Sequence, residues 1–171
     1  EIKTNGAWLG LLARQAIDAV ARQRGNSQVL FLLDEASNMG RIHNLTESLT
    51  ALPGLGVRVW MIVQELAELR RVYGREATAT ILSQSEVVQY FAVQNHDLAK
   101  EISAALGNRT VVTNSYNLGR SMNDAAGESF SETGRPLLSP DEIRQLPRDT
   151  QILFVQNNPP IMARRVPFWE V

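Results

Sequence analysis

The chain has 171 residues, 44% of them apolar and 20% charged, enough to bury a core without cross-links. It contains no cysteine, which excludes a disulfide framework, a thiolate metal site and a cysteine nucleophile. Its 17 basic and 18 acidic residues leave a net charge of −1, which excludes nucleic-acid binding through bulk positive charge but not through a local basic stripe.

Trp8, Leu11, Leu12, Ile17, Val20 and Ala21 recur at a three-and-four spacing and predict a helix over 7–24, stopped by Gly25-Asn26. Residues 28–33 have strand length and are apolar without a break from Val29 to Leu33. The lack of alternation predicts a strand covered on both faces, as in a parallel sheet. A short helix is expected over 45–52, then a Pro53-Gly54 turn, and a second buried strand over 57–63 ending in Gln64. Helical stretches over 65–72 and 76–82 precede a third strand over 87–93. A further helix over 97–106 has Asn95 or His96 at its cap and Gly107-Asn108 at its end. Helices and strands in alternation predict an α/β layer fold with a mostly parallel sheet.

The composition changes at about 109–134, where Ser, Thr, Asn and Gly replace large apolar residues. That stretch reads as a polar surface loop or as an insertion that meets a partner. Ser139-Pro140-Asp141-Glu142 then carries the signature of a helix start, with two acids at the positive end of the dipole. A fourth strand over 152–155 and an edge strand over 161–166 close the chain. Trp8, Trp60 and Trp169 read as core or edge packing, and His43 and His96 as surface or capping residues. Arg70, Arg71 and Arg75 make a basic patch whose two readings are a solvated helix face and a phosphate contact. No run reaches the ~20 apolar residues that span a bilayer. With no initiating Met and no signal peptide, the chain is expected to be a piece of a longer polypeptide.

Val29-Leu30-Phe31-Leu32-Leu33-Asp34-Glu35 is the pattern of a Walker B strand. A buried parallel strand carries two carboxylates to the sheet end where α/β folds place ligands. There Asp34 suits Mg²⁺, a hard cation held through water, and Glu35 suits polarisation of the water that attacks a γ-phosphate. Gln64, at the end of the next strand, would reach the same rim and sense that phosphate. The bland alternatives are an acidic helix cap for the first pair and a helix start for Gln64. The phosphate cradle G-x-x-x-x-G-K-S/T is missing, since neither Lys3 nor Lys100 lies in such a motif.

The run Asp34-Glu35-Ala36-Ser37-Asn38-Met39-Gly40 is similar to the "DE(F)xxLG" segment of the type IV secretion coupling ATPases, the TraG/TraD family. The resemblance continues through Gln64 to Leu69 and Tyr73-Gly74, through Ile102-Ser103, Leu106-Gly107 and Thr110, to Arg135-Pro136-Leu137-Leu138-Ser139-Pro140-Asp141-Glu142-Ile143 and Leu146-Pro147. It implies a RecA-like, three-layer P-loop NTPase fold, with residues 1–171 as the C-terminal part of the nucleotide-binding domain and the P-loop half upstream. It implies a homo-hexameric motor on the cytoplasmic face of the bacterial inner membrane, contacting the membrane through upstream segments. That motor uses ATP and Mg²⁺ to bring single-stranded DNA with relaxosome proteins, or protein substrates, to secretion-channel proteins. Ala36 departs from the family's aromatic. Residues 52–56 lack the basic residue that members carry before the glutamine strand, which leaves Arg41 and Arg135 as candidates for a trans-acting arginine. The chain by itself is then expected to be inactive as an ATPase. The alternatives are a non-catalytic docking module for relaxosome or channel proteins, and a DNA pump of the FtsK-like kind.

Overall fold

The computed structural model describes residues 2–23, 28–43, 45–117 and 127–170. The chain divides into two compact units, Glu1–Glu86 and Val87–Val171.

The first unit opens with α1 (Ile2–Arg22), which starts five residues earlier than the apolar spacing predicts because Gly6 and its polar neighbours are helical too. It continues through β1 (Val29–Leu33), a 3-10 turn (Ala36–Met39), α2 (Leu45–Ser48), a second 3-10 turn (Pro53–Leu55), β2 (Val57–Met61), α3 (Leu66–Tyr73) and α4 (Arg75–Gln84). Strands β1 and β2 pair in parallel, Val29 beside Val57 through Leu33 beside Met61. Ile17, Leu33, Ile42, Leu45, Val57, Leu69 and Ile81 are buried in this unit. Arg14 ties α1 to the segment between β1 and α2: held by Asp18 at 2.8 Å, it donates to the His43 carbonyl at 2.8 Å. The Tyr73 phenol accepts the Ile42 N–H at 3.2 Å, and its burial pushes its pKa above the ordinary value.

Two glycines set how close α1 comes to the 3-10 turn. A Cβ at Gly6 would stand 2.1 Å from the Asn38 carbonyl oxygen, and one at Gly10 would stand 2.4 Å from that of Met39. On an exposed helix Gly→Ala stabilises by up to ~1 kcal/mol. Here the obstacle is backbone that no rotamer change can clear, so overpacking wins. Gly10→Ala is expected to destabilise by about 1–3 kcal/mol, seen as a lower urea midpoint at unchanged slope. A raised midpoint would show that the helix and the turn have slack between them.

One face of the parallel pair is bare. Leu30, Leu32 and Trp60 are 56%, 58% and 52% exposed, and they share a face because Leu32 lies beside Trp60. The unbroken apolar run therefore does not mean burial on both sides within this chain. Trp8 and Trp169 are likewise exposed.

The second unit holds β3 (Val87–Phe91), α5 (His96–Leu106), β4 (Asn108–Asn117), β5 (Gly127–Pro136), α6 (Pro140–Arg144), β6 (Thr150–Val155), β7 (Ile161–Arg164) and a last 3-10 turn (Phe168–Glu170). Strands β3, β6 and β7 form one sheet in that order, with both pairings antiparallel. The α/β class stands, but among the described residues the parallel pairing is confined to β1 and β2. Val93, Ala99, Ile102, Ile143 and Ile152 make the core, and Tyr90 and Phe154, edge to face with each other, pack against it. The N-terminus of α5 is capped by Asn95, whose side chain accepts the Asp97 and Leu98 N–H groups. Ser139 and Glu142 form a reciprocal capping box on α6. The Ser139 backbone N–H and hydroxyl, together with the Arg135 charge, hold the Glu142 carboxyl below its ordinary pKa.

The stretch expected as a polar loop or an insertion is built, over its described residues, as a hairpin. Strands β4 and β5 pair antiparallel over ten positions, from Asn108 beside Pro136 to Asn117 beside Gly127. The ladder is made by backbone groups, so it forms without the apolar residues that mark a strand in sequence. The connection 118–126 lies outside the described residues. The helix expected over 45–52 is only one turn long, because residues 49–52 turn toward Pro53.

Candidate functional site

Strand β1, Val-Leu-Phe-Leu-Leu, is apolar throughout and stops where two charges follow. Asp34 stands exposed just past its last residue, and its Oδ1 accepts the Glu35 N–H at 3.0 Å. Glu35 then adopts a left-handed backbone, φ 50° and ψ 44°, which starts the 3-10 turn. Such a conformation is uncommon for a residue with a side chain and is held by its surroundings.

Those surroundings begin with the strand pairing. Beyond Met61 the chain keeps company with β1: the Ile62 N–H donates to Leu33 O and the Ala36 N–H donates to Ile62 O, both at 2.9 Å. That register delivers Gln64 to the rim, where its Nε2 donates to Glu35 Oε1 at 3.0 Å. Asp34, Glu35 and Gln64 are thus brought together at the C-terminal end of a parallel pair.

A fourth side chain belongs to the group. Asn38 Nδ2 donates to the other carboxylate oxygen, Glu35 Oε2, at 2.8 Å. Sequence reasoning missed it, although an Asn three residues after the Glu was the available signal, since a 3-10 turn brings i and i+3 together. Behind it, Ser37 is buried and its hydroxyl donates to Glu68 Oε2 at 3.1 Å. The arrangement offers an exposed carboxylate for a hard cation and a second carboxylate gripped by two amides.

Arg41 is exposed within the first unit and acts electrostatically on the Tyr73 phenol. Arg135 belongs to the second unit, where it pairs with Glu142 at 2.6 Å. His43 and His96 are exposed, as expected. Among the described residues no helix is long and apolar enough to cross a membrane.

A family model described as type IV secretory system conjugative DNA transfer matches residues 9–171. Conjugal transfer protein TraG of Rhizobium radiobacter is 31% identical over 153 residues, covering 87% of this chain and 24% of that protein. Protein VirD4 of Agrobacterium fabrum is 28% identical over 142 residues, 83% of this chain and 21% of its own. The chain therefore spans about a quarter of the length of the curated relatives it matches. Among solved structures, the unbound bacterial conjugative coupling protein TrwB superposes with a TM-score of 0.71 at 19% identity, over 94% of this chain and 38% of that one. TrwB with the ATP analogue ADPNP gives 0.70 at 18% identity, over 95% and 38%, and so does TrwB with ADP and Mg²⁺. At that identity the likeness is one of fold.

Proposed function

The chain belongs to the type IV secretory system conjugative DNA transfer family, and on that premise we propose that it carries the Walker B half of the ATPase site of a coupling protein. The observation that carries the reading is the 3.0 Å contact of Gln64 with Glu35 beside Asp34, at the C-terminal end of β1. Open α/β sheets hold phosphates and metals at that rim.

In this reading Asp34 holds the water shell of Mg²⁺, for which an exposed carboxylate is a fitting donor. The metal, when bound, neutralises charge on the β- and γ-phosphates. Glu35 takes a proton from the attacking water, and Gln64 senses the γ-phosphate. The phosphate cradle comes from the rest of the polypeptide or from another subunit. The bare face formed by Leu30, Leu32 and Trp60 supports this division, because a parallel sheet is covered on both sides in α/β folds. That TrwB is known with ADPNP and with ADP and Mg²⁺ supports the choice of nucleotide. Of the two candidate trans-acting arginines we favour Arg41, which is exposed, over Arg135, which is engaged by Glu142.

The whole protein is then a homo-hexamer at the cytoplasmic face of the inner membrane. It delivers single-stranded DNA with relaxosome proteins, or protein substrates, to the secretion channel. The test is ATP hydrolysis by the full-length protein as a function of Mg²⁺. Asp34→Asn is expected to raise the Mg²⁺ concentration needed for half-maximal rate about tenfold or more, by analogy with the loss of a metal-site group. A wild-type Mg²⁺ dependence in that variant would remove Asp34 from the site.

A further inference from the structure

We propose that Asn38 is a positioning residue for Glu35, forming with Gln64 a two-sided clasp that fixes the plane of the carboxylate. The inference rests on the ATPase reading above and assigns a division of labour within it.

Both Glu35 oxygens are occupied, Oε1 by the Gln64 amide at 3.0 Å and Oε2 by the Asn38 amide at 2.8 Å. Each carboxylate oxygen has two acceptor sites, so water can reach either one, but an oxygen that already accepts from an amide is the weaker base. The two donors are not equivalent. Asn38 is half-buried within the turn itself: its N–H donates to Glu35 O at 2.7 Å, and its carbonyl lies against α1 where Gly6 leaves no room for a Cβ. Its neighbour Ser37 is pinned by Glu68. Gln64, in contrast, is exposed and lies beyond the last paired residue of β2. The fixed donor is therefore Asn38 and the releasable one is Gln64. Release of Gln64 toward a γ-phosphate would make Oε1 the more basic oxygen while Asn38 keeps the carboxylate aimed.

The experiment compares Asn38→Asp with wild type in the full-length protein. The change is nearly isosteric but sets a second carboxylate against Glu35, so Asn38→Leu, which removes the donor without adding charge, is measured beside it and is expected to show the same loss. Steady-state ATP hydrolysis is expected to lose about tenfold or more in kcat, with KM and the affinity for ADPNP held within about twofold, because misaiming a base affects the transition state rather than binding. The second arm places Asn38→Asp on a Glu35→Gln background and measures single-turnover hydrolysis. If Asn38 acts through the Glu35 carboxylate, it adds less than about twofold there. An unchanged kcat, or an equal loss on both backgrounds, overturns the positioning role while leaving Glu35 as base. Full turnover by Glu35→Gln alone removes Glu35 as base and the clasp with it, whereas absence of Mg²⁺-dependent ATP hydrolysis by the wild-type full-length protein overturns the ATPase reading itself.

Discussion

Full-length protein carrying Glu35→Gln is expected to bind ADPNP as wild type does and to hydrolyse ATP about 10²–10⁴-fold more slowly. The amide matches the carboxylate in shape, so the backbone turn at φ 50° has no reason to change. What is lost is a group able to take a proton. The substitution also disturbs the clasp in a definite way: a glutamine has one carbonyl oxygen, so one of the Asn38 and Gln64 amides finds an NH₂ opposite it instead of an acceptor. Binding by analogue titration and turnover by phosphate release separate the two effects. Loss of binding along with turnover would mean that Glu35 shapes the nucleotide pocket rather than serving as base.

The second large effect is on stability. Ile102 is 2% exposed in the core of the second unit, where α5 meets residues from α6 and β6. Ile102→Ala removes apolar volume from a small cluster of Val93, Ala99, Ile143 and Ile152 with little slack to refill it. A loss of about 2–5 kcal/mol is expected, read from the urea midpoint of the chain. Val112→Ala, at an exposed position, is the control and should change stability by less than about 0.5 kcal/mol. Equal effects at the two positions would contradict the placement of this core.

The placement of the candidate site was legible because its residues sit at strand ends. An apolar run followed by Asp34-Glu35, and another whose end is Gln64, announce a common rim in any parallel pairing, and the register that sets Leu33 beside Met61 provides it. The caps at Asn95 and Ser139 were legible for a similar reason, since their side chains substitute for missing helical partners in the residues next to them. Asn38 was not, because its role depends on a turn geometry that no periodicity encodes. Nor was the direction of β3: a five-residue apolar strand looks the same whether it runs with its neighbour or, as beside β6, against it. The strands of the β4–β5 hairpin are hidden in the sequence because many of their residues are those of turns, while their order comes from backbone pairing over positions distant in sequence.

The glycine notch in α1 has a mechanical meaning. Where two elements meet through side chains, rotamers give the joint some play. Gly6 and Gly10 leave none, so helix backbone bears on the carbonyls of Asn38 and Met39. A slide of the helix by one residue's rise, ~1.5 Å, would have to push the turn along or part from it. A pull on the start of α1 is therefore expected to reach the turn that follows Glu35 through main chain, beside the tie that the Arg14 side chain makes to the His43 carbonyl.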